Sequence, residues 1–236
     1  MTVMTQRDGA GRNDDEVGRG PLSRGAAWIY RVIVLEVMLV VALLPTIAAI
    51  LLLDRDSSNV PLYVLALLPA GPALVAGLGA ARGWEVEPDL SPARPFWRTY
   101  RREALGTLTW WVPLLVVVAV LGVNLAHLQE IEGGALLGPV SALLLLLLPV
   151  WAAHMAVLQV RFSFRLRDAA RIAVAELVPQ WRFSLGALSL IVVLSAITVV
   201  TTDVVALLLL WTVVLFLHAL SRPLVRDVTE RFTVHD

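Results

Sequence analysis

The chain has 236 residues, 58% of them hydrophobic and only 16% charged, with 19 basic and 19 acidic side chains in balance and no cysteine. That composition excludes an ordinary soluble globular domain. The missing cysteines exclude disulfides, thiol catalysis and Cys-ligated zinc or iron–sulfur sites.

All 19 basic residues are arginine, which points to the codon bias of a GC-rich bacterial genome. Several apolar stretches reach the roughly 20 residues a helix needs to cross a hydrocarbon core of about 30 Å. They lack the period-two alternation of a transmembrane strand, and backbone groups in lipid must be satisfied within their own segment. The expected fold class is therefore all-α, an integral membrane helical bundle of about six transmembrane helices.

In chain order, residues 1–25 are rich in Gly, Asp, Arg and Thr and are expected to be a disordered cytosolic tail. A membrane domain over residues 26–222 follows, and residues 223–236 form a cytosolic C-terminal tail. The first apolar run outlasts the h-region of a signal peptide. Spans are expected at about 27–53, 61–81, 106–128, 134–160, 183–202 and 204–221. The second holds Pro69, Gly71, Pro72, Gly77 and Gly79, so it is expected to be kinked or broken. Its spacings Ala73 to Gly77 and Gly79 to Gly83 follow the small-xxx-small rule for close helix contact.

Two cytosolic segments, 91–105 and 163–178, are amphipathic. In the first, Trp97, Tyr100 and Ala104 share a face, and Arg94, Arg98, Arg101 and Arg102 take the other. Such a helix is expected to lie along the headgroups with its rings down. In the second, Phe162, Leu166, Ala170, Ala173 and Leu177 form the apolar stripe, Arg167 and Arg171 pair elsewhere, and Pro179 ends the segment.

The span count places 18 of the 19 arginines on one side, leaving only Arg55 outside. By the positive-inside rule that side is cytosolic, as are both termini. The outer loops then carry Asp54, Asp56, Glu130, Glu132 and Asp203. Trp28, Trp84, Trp97, Trp110, Trp111 and Trp181 all fall near the cytosolic interface, as an aromatic belt would.

Glu36 is the one carboxylate well inside a span, about 6 Å beyond Arg31 by helical rise. It is either a proton or solute contact or a side chain that snorkels to the headgroups or pairs with an arginine. His154, Gln159 and His218 lie on the same inner side, so with Glu36 they form a candidate intramembrane polar cluster, against the plainer reading of separate helix-packing hydrogen bonds. A Glu-His-His metal site needs convergent geometry and a second shell that three separate helices do not supply in sequence. Asn124 and His127 at the far end of span three suit an external vestibule or a solvated helix end. Arg98, Arg101, Arg102, Arg165, Arg167 and Arg171 are candidate contacts for a partner or for anionic lipid.

In span one, EVMLVVALLPTIAAI resembles the first helix of the YesL-like bacterial membrane proteins, a family of undefined biochemical function. Gly71-Pro72-Ala73 is similar to that family's Gly-Pro-Ala step. PFWRTYRREALGTLTWWVPLL resembles its Phe-Trp-rich basic segment, and RFSFRLRDAARIAV its later basic helix. The family is often encoded beside carbohydrate ABC importers. The resemblance thus implies a cytoplasmic-membrane accessory or scaffold protein near sugar uptake, with importer permease or ATPase subunits as partners.

The alternative is a small-solute carrier acting as an oligomer such as a homodimer. No P-loop, HExxH, GxSxG or GxGxxG pattern falls at a usable position, so no enzyme and no cofactor are expected. The arginines are dispersed by topology, so no nucleic-acid partner is expected either.

Overall fold

The structure, a computed structural model, describes residues 21–54, 56–86, 91–128, 134–200 and 208–232. The tail before residue 21, the loop residues Arg55, Glu130 and Glu132, and Asp203 with the first residues of the expected sixth span lie outside them. Among the described residues every regular element is a helix. They are α1 (Pro21–Ala42), α2 (Leu44–Leu52), α3 (Val60–Ala66), α4 (Ala70–Val86), α5 (Ala93–Ala126), α6 (Gly134–Arg161), α7 (Leu166–Ala175), α8 (Trp181–Val200) and α9 (Leu210–Phe232). Among the described residues five stretches are long and apolar enough to cross a membrane: Gly25–Ala42, Val60–Val86, Ala93–Ala126, Leu136–Arg161 and Trp181–Thr198.

The first two spans are interrupted where the sequence places prolines. Pro45 opens α2, and the helix turns at Leu43. The second span breaks at Leu67–Pro69, separating α3 from α4. In lipid the carbonyls freed by such breaks need partners, and two side chains supply them. The Thr46 hydroxyl donates to the Ala66 carbonyl at 2.6 Å, and the Trp111 indole N–H donates to the Leu67 carbonyl at 2.9 Å. A third bond, from the Tyr63 hydroxyl to the Leu53 carbonyl at 2.9 Å, ties the far end of the α2–α3 hairpin.

Helix α4 is the hub. Its small residues Ala73, Ala76, Ala80 and Ala81 are buried, and its glycines sit against neighbours that leave no room for a Cβ. Gly71 lies under the Trp111 ring, Gly77 under Val214, Gly79 against Thr99 and Gly83 against Pro95. The Gly79–Gly83 spacing therefore does what it implies, since α4 and α5 run antiparallel in close contact, while Gly77 of the other spacing lets α9 approach; dispersion and not hydrophobic burial rewards such contacts within a bilayer. Around this hub Phe96, Phe183, Leu35, Met155, Leu158 and Leu224 are the largest fully buried apolar side chains. Leu136, Leu143, Leu147, Val192 and Val193 point outward, as lipid-facing side chains do.

Three expectations change. The segment over 91–105 is no separate helix along the headgroups; it is the first third of the 34-residue α5, continuous with the span it feeds. At 1.5 Å per residue that helix is about 50 Å long, well beyond a hydrocarbon core of about 30 Å. Its ring face turns inward: Phe96 is fully buried, and Trp97 donates to the Met38 sulfur at 3.0 Å.

The aromatic belt holds only in part. Trp28 and Trp181 are exposed, whereas Trp110 and Trp111 are packed within the bundle because their indole N–H groups find internal acceptors. Finally, the second amphipathic segment forms α7 but buries Ala169, Ala173 and Glu176. Leu166 from the expected stripe is exposed, and Arg165, Arg167 and Arg171 face outward as expected.

Candidate functional site

Glu36, His154, Gln159 and His218 do not form one cluster. Each is claimed by different neighbours.

Glu36 reaches the N-terminus of α9, where its carboxylate accepts the Trp211 backbone N–H at 2.9 Å. The first N–H groups of a helix have no partner within the helix and carry its partial positive charge, so a carboxylate there is stabilised on both counts. The residue is thus neither snorkelling nor paired with an arginine through this bond; it is a cap supplied from another helix. Its second oxygen, Oε1, is buried without a hydrogen bond.

His154 is fully buried. Its Nδ1 lies 3.0 Å from the Val150 carbonyl one turn back, an acceptor only, so Nδ1–H donates; Nε2 is buried without a hydrogen-bond partner. The ring stands edge-on to Phe183 with centroids 4.6 Å apart.

Gln159 joins α6 to α5. Its amide oxygen accepts the Trp110 indole N–H at 2.9 Å, and its amide nitrogen donates to the Thr107 hydroxyl at 3.1 Å and to Glu103 Oε2 at 3.2 Å. Thr107 has no exposed surface, so this network satisfies polar groups that the bundle has taken out of water.

His218 contacts Glu85, with Nε2 and Oε1 3.0 Å apart. The contact does not meet hydrogen-bond geometry, and it is an ion pair only when the ring is protonated. Glu85 also meets Arg222 at 3.3 Å and Arg161 at 3.6 Å. One carboxylate thus joins the C-terminal ends of α4 and α6 to the middle of α9. Arg82 adds a second tie from α4, donating to the Val160 carbonyl of α6.

Glu85, Arg82, Arg161, Glu103 and Thr107 were not singled out in the sequence. The available signal was local: Glu85 stands three residues beyond Arg82 at the end of a span. Which arginines meet it is set by helix packing.

The first half of α5, the end of α6 and the start of α7 border an open cavity of about 630 Å³, lined by Arg82, Arg102, Arg161, Glu103, Gln159 and Trp110 among others. A second hollow of about 340 Å³ shares Arg82, Arg102 and Glu103 and adds Arg98. Of the six arginines named from the sequence, Arg98 and Arg102 line these hollows, whereas Arg101, Arg165, Arg167 and Arg171 do not.

Among the described residues no three His, Cys, Asp or Glu side chains converge as metal ligands, and Glu36, His154 and His218 do not meet. On the far side, the His127 ring turns back to the Val123 carbonyl at 3.0 Å and closes the end of α5.

No family model, curated protein or solved structure matches the chain.

Proposed function

We propose that the chain is a six-span protein of the cytoplasmic membrane with both termini cytosolic. It belongs with the YesL-like proteins it resembles and serves as a non-catalytic accessory or scaffold subunit of a carbohydrate ABC importer. The observation that carries the accessory role over transport is the separate employment of the polar side chains. Glu36 caps α9, Gln159 ties α6 to α5, His154 turns back on its own helix and His218 joins Glu85. Three of the four hold helices together and His154 bonds within its own, so they do not line one path. The exposed arginines Arg98, Arg101, Arg102, Arg165, Arg167 and Arg171 then offer the docking surface. The importer as partner rests on the family resemblance.

A second reading, a small-solute carrier working as an oligomer, is favoured by one observation. The N-terminus of α9 and its carboxylate cap lie well inside α1's apolar run, and interrupted helices with polar ends are frequent in carriers.

The test is mass spectrometry of what co-purifies, in mild detergent, with the natively expressed and tagged protein. Recovery of importer permease and ATPase subunits in stoichiometric amounts is the expected result. Recovery of the chain alone or as a homodimer overturns the accessory role. The carrier reading then requires Glu36→Gln to abolish uptake.

A further inference from the structure

The cavity between α5, α6 and the linker to α7 combines two chemistries. Its rim is cationic: Arg82, Arg102 and Arg161 line it, and Arg98 joins them in the adjoining hollow. Among the described residues Glu103 is the one acidic residue lining either space. That carboxylate is already engaged, by Arg102 at 2.8 Å and by Gln159 at 3.2 Å. Each guanidinium has five N–H donors in a planar fork. Arg82 commits one nitrogen to Val160, Arg102 its Nε to Glu103, and Arg161 one nitrogen to Glu85. The rest of each fork remains for an oxyanion, and forked donors match phosphate oxygens in pairs.

Its floor is apolar. Phe162 and Phe164 stack with centroids 5.1 Å apart and planes 16° apart, and Trp110, Met155 and Leu158 continue the surface. A free inorganic anion would use only the rim. The position adds a third constraint, because the linker directly follows the apolar stretch ending at Arg161. That is the depth at which phospholipid heads meet acyl chains. A space of about 630 Å³ is within the range of small-molecule sites.

We propose that this cavity is a binding site for a phosphate group carried on an apolar body. The arginines hold the phosphate, and the Phe162–Phe164 pair receives the start of the apolar part. The bilayer's own anionic phospholipid is one source of that chemistry, and a water-soluble phosphate ester is the other. The site stands apart from the choice between accessory and carrier, since it needs neither a partner protein nor a transport path.

The test is native mass spectrometry of the full chain reconstituted with phosphatidylglycerol and phosphatidylcholine in equal amounts, then with glycerol 3-phosphate as soluble competitor. Arg102→Gln and Ser163→Glu probe the site from two exposed positions, one removing a cation and the other adding a carboxylate to the exposed linker. Arg226→Gln, exposed and paired to Glu230 outside the cavity, is the control.

Selective retention of phosphatidylglycerol, weakened at least fivefold by both cavity substitutions and unchanged by Arg226→Gln, is the expected result. Equal retention of the two lipids, or an equal loss with Arg226→Gln, overturns the site in favour of diffuse surface attraction. Full displacement by millimolar glycerol 3-phosphate, which has no apolar body, with the same dependence on Arg102 and Ser163, supports the phosphate rim and overturns both the role of the Phe162–Phe164 pair and the bilayer as the source. Thermal unfolding of each variant, expected to match the unmodified chain, separates lost binding from lost fold.

Discussion

Replacing Gly79 with alanine sets two effects against each other. Alanine is favoured over glycine in a helix interior by roughly 1 kcal/mol, so local propensity alone says the substitution stabilises α4. The packing says otherwise. A Cβ at residue 79 would stand 2.5 Å from Thr99 Oγ1, 2.6 Å from Cγ2 and 2.8 Å from Cβ. Rotating the threonine moves the first two atoms but not its Cβ, which is fixed to the α5 backbone, so the helices themselves must separate.

Overpacking a close contact costs about 1–3 kcal/mol, and a clash that only a helix shift can relieve belongs in the upper part of that range, at about 2–3 kcal/mol. Set against the propensity gain, the net is about 1–2 kcal/mol of destabilisation. Gly25→Ala is the matched control, since nothing lies within 4 Å of its Cβ position in α1. There only the propensity term acts. Thermal unfolding in detergent should show Gly79→Ala lower by about 2–8 °C, at about 2–4 °C per kcal/mol for a chain of this size. Gly25→Ala should be unchanged or slightly higher. If Gly79→Ala equals or exceeds the unmodified chain, the α4–α5 contact is not as close as described and the hub fails.

The other polar ties allow further tests. Glu36→Gln keeps an acceptor for the Trp211 N–H but loses the charge, so the start of α9 should weaken by about 0.5–1 kcal/mol. Faster hydrogen exchange at the Trp211 and Thr212 amides is the readout. Gln159→Leu deprives the Trp110 indole N–H of its acceptor, and a buried donor left unpaired costs about 1–3 kcal/mol, visible as a lowered unfolding temperature. The two arginines on Glu85 should differ in thermal unfolding. Arg222 is 72% exposed and Arg161 18%, so Arg222→Gln should cost well under about 1 kcal/mol. Arg161→Gln should cost more, because it strips a partly shielded carboxylate of its less exposed partner.

Hydropathy and proline placement made the all-α class legible, because backbone satisfaction in lipid leaves few alternatives. The break in the second span could be read from Pro69 and its neighbouring glycines. Its stabilisers could not: Thr46 and Trp111 come from distant positions in the chain, and no local pattern marks them as partners of carbonyls 66 and 67.

The amphipathic reading of 91–105 found the right two faces but the wrong surroundings. Periodicity reports that a ring face is apolar without distinguishing lipid headgroups from the α4 side of the bundle. The same limit applied to the polar residues. Depth along separate helices placed Glu36, His154, Gln159 and His218 on one side, but azimuth around each helix decides who meets whom. Azimuth sent Glu36 to α9 and His218 to Glu85. Glu85 itself stood at a span end, where a carboxylate looks like ordinary solvated surface.

The account depends most on all the arginine-bearing ends facing the cytosol. The chain contains no cysteine, so single-cysteine variants report position without background. Cysteines would be placed in turn at Arg98, Ser163 and Arg226 on the proposed inner side, and at Ser58 and His127 on the outer side. Each variant would be treated in intact cells with a membrane-impermeant maleimide. The account predicts labelling of Ser58→Cys and His127→Cys in intact cells and of the other three only after permeabilisation. Labelling of Arg98→Cys, Ser163→Cys or Arg226→Cys in intact cells would contradict it.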